Sequence, residues 1–476
     1  MAAQLDADLS APYADIAVLR SWSNTRLFAL EPDAVHDLQL HWLRRRLAEL
    51  RPRVRVLDRL AGDCGIDEIA DLDDGSVLCM PHTIYKAYTI ADVEKHRFAR
   101  LTRWLDSLTV HDITGVDMTG VDSLHSWLLR LEEQTPLRPH VSSGTSGKVS
   151  IYPKSRLEGR HLMEGLLRIL APCGEEHGID ILSGKHPFLT VWPATTGHHH
   201  LTRMLELMRE EIYPGHEDMV VTRGDQRLTA DDLWLAGKLR RAEALGEQVR
   251  LTEVEQDRQR QLVAQAREFT PQQMMDSFIE RAVLAQRGRT IGMMSPWIEV
   301  IQLAQVCKER GIEPPYHSDS VIMSGGGSKG FTFPAGWREL VDEVFPSMTV
   351  VECYGMSENS AQARKCRAGY YHAPPWGISW ILDPKTSEPL PRAGVQTGRH
   401  ACFDLLAETY WAGTITGDKV TAHWDETCSC GRLGVFFDGE ITRYGADEGG
   451  DDKITCSRTP DAYNNLVDFA LSGAGL

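Results

Sequence analysis

Between Arg289 and Cys353 the chain alternates short apolar runs with helical patterns, and no other stretch narrows its fold as much. Arg289-Thr290-Ile291-Gly292-Met293-Met294-Ser295-Pro296 reads as a strand and a turn, and Trp297 to Arg310 as an amphipathic helix ended near Gly311. Ser320-Val321-Ile322-Met323 is a second strand and runs into Ser324-Gly325-Gly326-Gly327-Ser328-Lys329-Gly330. A helix near Pro334 to Val344 follows, then the strand Met348-Thr349-Val350-Val351-Glu352-Cys353. Strands alternating with helices predict a parallel sheet whose ligands sit beyond the strand ends. The last of these strands delivers Tyr354-Gly355-Met356-Ser357-Glu358-Asn359.

A second loop suits an anion. Val141-Ser142-Ser143-Gly144-Thr145-Ser146-Gly147-Lys148 has no bulky residue after Val141, so its backbone N–H groups can approach an oxyanion closely. The hydroxyls add donors and the lysine adds a point charge, which makes phosphate the natural guest. It is not a Walker A loop: Ser142 replaces the first glycine, and Val149 replaces the magnesium-binding hydroxyl.

Composition removes several function classes. The 476 residues carry 51 basic and 67 acidic side chains, a formal charge of −16, and no basic block with interleaved aromatics. That balance argues against a nucleic-acid surface. No apolar run reaches the roughly 18 residues a bilayer span needs. Met1-Ala2-Ala3-Gln4-Leu5-Asp6-Ala7-Asp8 lacks the basic start and apolar core of a secretory signal. Ten cysteines in so long a chain do not make a disulfide scaffold, so a cytoplasmic protein is expected.

The first 140 residues read as mainly helical. Leu38, Leu40, Leu43, Leu47 and Leu50 form the apolar face of one helix, and helical spacing resumes from Tyr85 to Ser107. After the glycine loop, Gly159 to Leu170 reads as a helix and Phe188 to Trp192 as a buried strand. The run Pro193 to His200 then opens a helix from Leu201 to Glu211; three consecutive histidines on a helix point apart and cannot share one metal. Asp231 to Arg267 is charge-rich and helical. Cys366, His372, Cys428 and Cys430 supply three thiols and an imidazole, a donor set for a closed, structural tetrahedral Zn²⁺ site.

A glycine phosphate loop, a triple glycine after a strand, Tyr354-Gly355-Met356-Ser357-Glu358 and Thr416-Gly417-Asp418 occur in that order. The set resembles the adenylate-forming (acyl-CoA synthetase-like) superfamily, with Ser-Gly-Thr-Thr-Gly, Tyr-Gly-x-Thr-Glu and Thr-Gly-Asp. Phenylacetate–CoA ligase and the acyl-protein synthetase of bacterial luminescence are the most similar branches. Cys428-Ser429-Cys430-Gly431-Arg432 resembles a Cys-x-Cys-Gly-Arg element of the former, some relatives of which carry a similar metal site. The likeness covers about residues 140 to 455.

The resemblance implies an α/β fold: a large domain of mixed β-sheets flanked by helices, and a small mobile C-terminal domain, here truncated. Residues 1–135 would be its helical N-terminal part, 136–450 the nucleotide- and acyl-binding core, and 451–476 a hinge remnant (Asp451-Asp452-Lys453-Ile454-Thr455) and short tail. It implies ATP and Mg²⁺ as cofactors and a small-molecule carboxylic acid as substrate, adenylated and passed to a thiol, an amine or an acceptor protein. Ser142, Ser143, Gly144, Thr145, Ser146, Gly147 and Lys148 would hold the β- and γ-phosphates. Gly325, Gly326 and Gly327 would let adenine lie against backbone. Tyr354 would stack on the base beside Gly355, Ser357 would touch the α-phosphate, Glu358 would hold Mg²⁺ and Asp418 the ribose hydroxyls. Trp192, His198 and Ser295 would line the acid pocket.

Two departures raise a question of charge. The superfamily's loop lysine lies two residues past the last glycine, whereas here Lys148 is adjacent and Lys154 is next. The usual catalytic lysine of the mobile domain is expected to be missing, so Lys148, Lys154, Arg432 or Arg443 would supply its charge. Two other functions fit the same motifs: adenylation of nitrite or another small oxyanion for attack by an amine, and a degenerate nucleotide-binding partner subunit.

Overall fold

Ile322 is fully buried between Val321 and Met323, and the three side chains point into two different cores. That alternation is the signature of a parallel strand covered by helices on both faces. The computed structural model describes residues 9–143, 148–268, 270–314, 316–325 and 333–445. They fall into two units, one comprising residues 88–101 and 116–353, the other residues 1–87, 102–115 and 354–476.

The first of these units is built on five parallel strands. Val220–Thr222 lies at one edge, followed by Phe188–Thr190, Gly292–Met294, Val321–Gly325 and Thr349–Tyr354. Leu189, Met293 and Ile322 pack against Phe278, Ile301 and Val341 on one face; Phe188, Met294, Val321 and Met323 pack against Leu167, Met204 and Leu207 on the other. Truncating one such side chain to alanine costs about 2–5 kcal/mol. The helices are fixed locally as well. Ser155 starts Arg156–Leu167 with a capping box, its backbone N–H donating to Glu158 Oε2 at 2.7 Å, and Thr229 and Asp232 do the same for Ala230–Leu245. A hairpin, His140–Ser143 with Val149–Tyr152, carries the glycine loop.

The second unit holds an antiparallel meander, Gly377–Leu382, Val395–Asp404 and Gly413–His423, extended by Phe436–Phe437, Tyr371–His372 and Ala363–Lys365. Met80–Pro81 adds to Gly413–His423 in parallel, and Thr442–Arg443 adds antiparallel at Asp418 and Lys419. The helix Pro32–Leu50 buries Leu38, Trp42, Leu43, Leu47 and Leu50. Gln39 on that helix donates to the carbonyls of Pro375 and Gly377, and buried Arg46 to that of Leu405. Trp380 Nε1 donates to Leu72 O at 3.0 Å. The N-terminal helices are thereby stitched to strands more than 300 residues later.

The α/β class with large mixed sheets flanked by helices is what the structure has. The stretch 85–107 is not one helix: Ile90–Glu94 and Phe98–Asp106 are separated by a turn in which His96 adopts φ 52°. Ala194–Gly197, read as the start of a helix, is a strand paired in parallel with Gln226–Leu228. Gly197 faces Leu228 there, and a Cβ would sit 1.9 Å from its carbonyl oxygen. The expected hinge remnant and tail lie outside the described residues.

Candidate nucleotide and metal sites

Tyr354 Oη donates to Asp418 Oδ2 at 2.9 Å, joining two of the sequence motifs across 64 residues. The strand pairing explains how Asp418 is presented. On the strands Val395–Asp404 and Gly413–His423, Arg399 pairs with Lys419 and Ala401 with Ile415, so Thr416, Gly417 and Asp418 all face His400. This bulge re-aims the aspartate side chain out of the regular pleat. Thr416 Oγ1 secures it, donating to His400 O at 2.8 Å and accepting from the Asp418 N–H at 3.1 Å. Arg443, the register partner of Asp418, places Nε 3.5 Å from Oδ1. Burial raises the Asp418 pKa, and the charges of Arg443 and Glu358 act on it in opposite directions.

Glu358 belongs to the same neighbourhood. Its carbonyl accepts from Tyr410 Oη at 3.0 Å. Its carboxylate adds to burial in pushing up the Tyr85 hydroxyl, the Cys402 thiol (to about 12) and Asp418. Glu358 and Asp418 are thus electrostatically coupled, and the carboxylate oxygens of Glu358 are of the kind that suits a hard cation such as Mg²⁺. Gly355 is covered by Gln362, which is tied by its amide to the carbonyls of Met356 and Asn359. Ser357 is half-buried on the same turn.

The remaining nucleotide candidates belong to the other unit. Ser142 Oγ lies 3.2 Å from Tyr152 Oη, and Ser143 pairs through its backbone with Val149. Lys148 Nζ donates to Tyr88 O at 2.6 Å and lies 5.5 Å from that ring's centroid. Lys154 is buried and its charge helps hold the pKa of His140 down, after burial. Gly144, Thr145, Ser146, Gly147, Gly326 and Gly327 lie outside the described residues. Gly325 ends its strand opposite Cys353, and a Cβ would stand 2.6 Å from both the carbonyl oxygen and the Sγ of that residue. Strand pairing is therefore sufficient to require a glycine there.

For the acid pocket, Trp192 stacks on His199 with centroids 4.6 Å apart and donates through Nε1 to Thr202 Oγ1 at 3.2 Å. His198 is buried, with Nε2 3.3 Å from Glu132 Oε1 and its ring edge-on to His125. Ser295 is buried; its Oγ accepts from the Val191 N–H at 2.8 Å and its carbonyl accepts from Ser324 Oγ. The Ser295 hydroxyl therefore already ties neighbouring strand ends together.

Cys366, His372, Cys428 and Cys430 converge, their ligand atoms all within 4.8 Å of one another. Two turns build the site. The Gly369 N–H closes on Cys366 O at 2.9 Å, and the Gly431 N–H on Cys428 O at 2.9 Å, with φ 88° and 86° at the two glycines. Cys430 Sγ is 3.5 Å from His372 Nε2. Burial and then Arg432 keep the imidazole neutral, its pKa down to about 3. Neutral imidazole with three thiols is the donor set of a closed structural zinc centre. Arg432 itself lies over Phe28, 5.0 Å from the centroid, on the metal side, whereas Arg443 is placed beside Asp418.

Sequence reasoning missed His400 and Ser379. Neither belongs to a motif; the bulge sets His400 opposite Thr416 to Asp418, and Ser379 reaches its ring from the neighbouring strand.

No family model matches the sequence, and no curated protein does. Among solved structures the chain is similar to an open conformation of 2-hydroxyisobutyryl-CoA ligase in complex with 2-HIB-AMP and CoA. The identity is 13%, the TM-score 0.47, and the match covers 87% of this chain and 70% of that one. It is similar to ATP-bound MatB from Rhodopseudomonas palustris at 13% identity and TM-score 0.30, over 62% of this chain and 47% of that one. It is similar to the amide bond synthetase McbA from Marinactinospora thermotolerans at 14% identity and TM-score 0.30, over 62% and 48%. The chain thus spans about half the length of the last two. Likenesses of that grade do not by themselves assign a reaction.

Proposed function

We propose that this chain is an ATP-dependent, AMP-forming enzyme that activates a carboxylic acid as its acyl-adenylate and passes the acyl group to a thiol or amine. The observation that carries the reading is the meeting of Tyr-Gly-x-Ser-Glu with Thr-Gly-Asp through Tyr354 and Asp418. The ordered motifs from Ser142 to Asp418 support it.

In this reading Asp418 accepts hydrogen bonds from the ribose hydroxyls, Tyr354 holds the base and Ser357 touches the α-phosphate. Ser142 to Lys148 embrace the β- and γ-phosphates, and Gly325 to Gly327 admit adenine. Mg²⁺ on Glu358 would neutralise phosphate charge. A carboxylate oxygen of the substrate attacks the α-phosphorus, and the bond to the bridging oxygen breaks with its electron pair leaving on pyrophosphate. Positioning and charge neutralisation carry the step, and no protein nucleophile is needed. Arg443, Lys148 and Lys154 are the candidate cations, and Arg443 has its Nε 3.5 Å from Asp418 Oδ1. Trp192, His198 and Ser295 mark the acid end, and zinc on the cysteine–histidine cluster is structural.

An ATP–pyrophosphate exchange screen over a panel of acids tests the reading. Exchange that depends on one acid, with its acyl-adenylate found by mass spectrometry, is the expected result. Exchange driven only by nitrite or a similar oxyanion, or ATP binding without any exchange, overturns it in favour of one of the two other functions.

A further inference from the structure

His400 sits behind Tyr354 in a chain of three hydrogen bonds that no motif contains. Its Nδ1 is 2.9 Å from Tyr354 Oη, and its Nε2 is 3.2 Å from Ser379 Oγ on the neighbouring strand. Tyr354 Oη is in turn 2.9 Å from Asp418 Oδ2. The imidazole is buried, 3% exposed.

The direction of every bond follows from one end. An ionised carboxylate only accepts, so the single hydroxyl proton of Tyr354 is committed to Asp418. The tyrosine oxygen must then accept from His400, which places a proton on Nδ1. A neutral ring carries one proton, so Nε2 accepts, and the donor facing it is Ser379 Oγ–H. The order is Ser379 to His400 to Tyr354 to Asp418, each donating to the next. His400 also serves the bulge through its backbone, because its carbonyl accepts from Thr416 Oγ1. One residue therefore fixes both the ring of Tyr354 and the turn that presents Asp418.

We propose that His400, held in its Nδ1–H tautomer by Tyr354 and Asp418 and braced from behind by Ser379, is the positioning residue that orients Tyr354 and Asp418 for a nucleoside triphosphate. The inference rests on the reading that these two residues bind nucleotide, but the tautomer does not. Burial is what bears on its titration, and Asp418, on the strand Gly413–His423, reaches the ring through the Tyr354 hydroxyl. The ring's second face packs toward Phe437 at 5.5 Å, which brings no charge.

The first measurement uses ¹⁵N-histidine NMR of the full chain, with the His400 signals identified by their loss in His400→Asn. At pH 7 the Nδ1–H tautomer is expected, and Tyr354→Phe, which removes the acceptor facing Nδ1, should mix the two tautomers. A dominant Nε2–H form or an imidazolium in the wild type overturns the proposal. The second is ATP binding by calorimetry. His400→Leu removes the donor to Tyr354 and should weaken ATP about tenfold. His400→Asn, whose amide can donate from nearly the same place, should recover most of it, with Ser379→Ala in between. Equal ATP affinity in all three variants overturns the positioning role. Should His400→Leu fail to fold, Ser379→Ala against wild type carries the same comparison. Absence of ATP binding by the wild type, with the tautomer as expected, would instead count against the nucleotide reading itself.

Discussion

The Sγ atoms of Cys366 and Cys428 stand 3.8 Å apart across 62 residues of chain. Two thiolates on one tetrahedral Zn²⁺, each at about 2.3 Å from the ion, are separated by about 3.8 Å. Purified protein is therefore expected to hold about one equivalent of zinc by elemental analysis. Cys428→Ser should lower both the zinc content and the melting temperature, because a closed site contributes directly to folding. Metal-free protein that melts at the same temperature as the zinc-loaded form would remove the site from consideration.

Glu358→Gln separates chemistry from stability. The Glu358 charge helps raise the pKa of Asp418, so neutralising it relieves repulsion between two carboxylates in the folded state. Exchange activity should fall by about 10²–10³-fold, the usual cost of one preorganised charge. The melting temperature should hold or rise. Wild-type exchange in this variant would show that Glu358 does not hold the metal.

Arg443→Gln tests the aspartate's counter-charge. Burial raises the Asp418 pKa and Arg443 opposes that rise. Only the ionised carboxylate can accept from both ribose hydroxyls, so ATP affinity should fall as pH drops through the Asp418 pKa. Without Arg443 that pKa rises further, and the acid limb of the affinity profile should move to higher pH. Calorimetric titration with ATP from pH 8 to pH 4.5 reads the shift, and superimposable limbs would assign Arg443 no role there.

The parallel strands were legible because each is a short, continuous apolar run bounded by small residues, as at Val321 to Gly325. Three thiols and an imidazole announced the metal cluster through composition, even though its spacing matches no common finger. Tyr354 and Asp418 were legible as motif members, but not their mutual hydrogen bond. His400 was not legible at all. A lone histidine in a strand has no sequence signature, and its position depends on a bulge set by pairing between strands. The break at His96 was missed for a similar reason, since helical spacing continues through a residue whose left-handed backbone ends the turn. Gly325 was legible as a required glycine on a ligand's account, and strand pairing supplies a second reason, because the Cys353 backbone and thiol exclude a side chain there.

Gly325→Ala should accordingly destabilise the chain without any nucleotide present. The new Cβ would meet Cys353 O and Sγ at 2.6 Å, a contact only backbone movement can relieve. Overpacking of that kind costs about 1–3 kcal/mol. Gly355→Ala is expected to cost less, because the obstruction is the terminal amide of Gln362, which can swing away from Met356 O. Urea denaturation of the two variants without ligand ranks them, and the reverse order would contradict the packing.

Acid should destabilise the fold through its buried histidines, and His400 gives the clearest case. Burial alone lowers its pKa from 6.5 to about 4. The unfolded chain therefore takes up the proton first as pH falls. The stability owed to the neutral ring is complete above pH 6.5, is lost progressively below it, and stops declining near pH 4. Between pH 7.5 and pH 5 the loss from this residue is about 2 kcal/mol. His125, held down to about 4 chiefly by burial and then by His198, adds a smaller term in the same direction because it is only partly buried. Urea denaturation of wild type and His400→Asn at both pH values isolates the effect. The variant starts less stable at pH 7.5, having lost the acceptor facing Ser379 and the ring's packing, but should lose about 2 kcal/mol less on going to pH 5. Equal losses in the two proteins would mean that His400 is protonated in the fold, and that Tyr354 is held by an imidazolium.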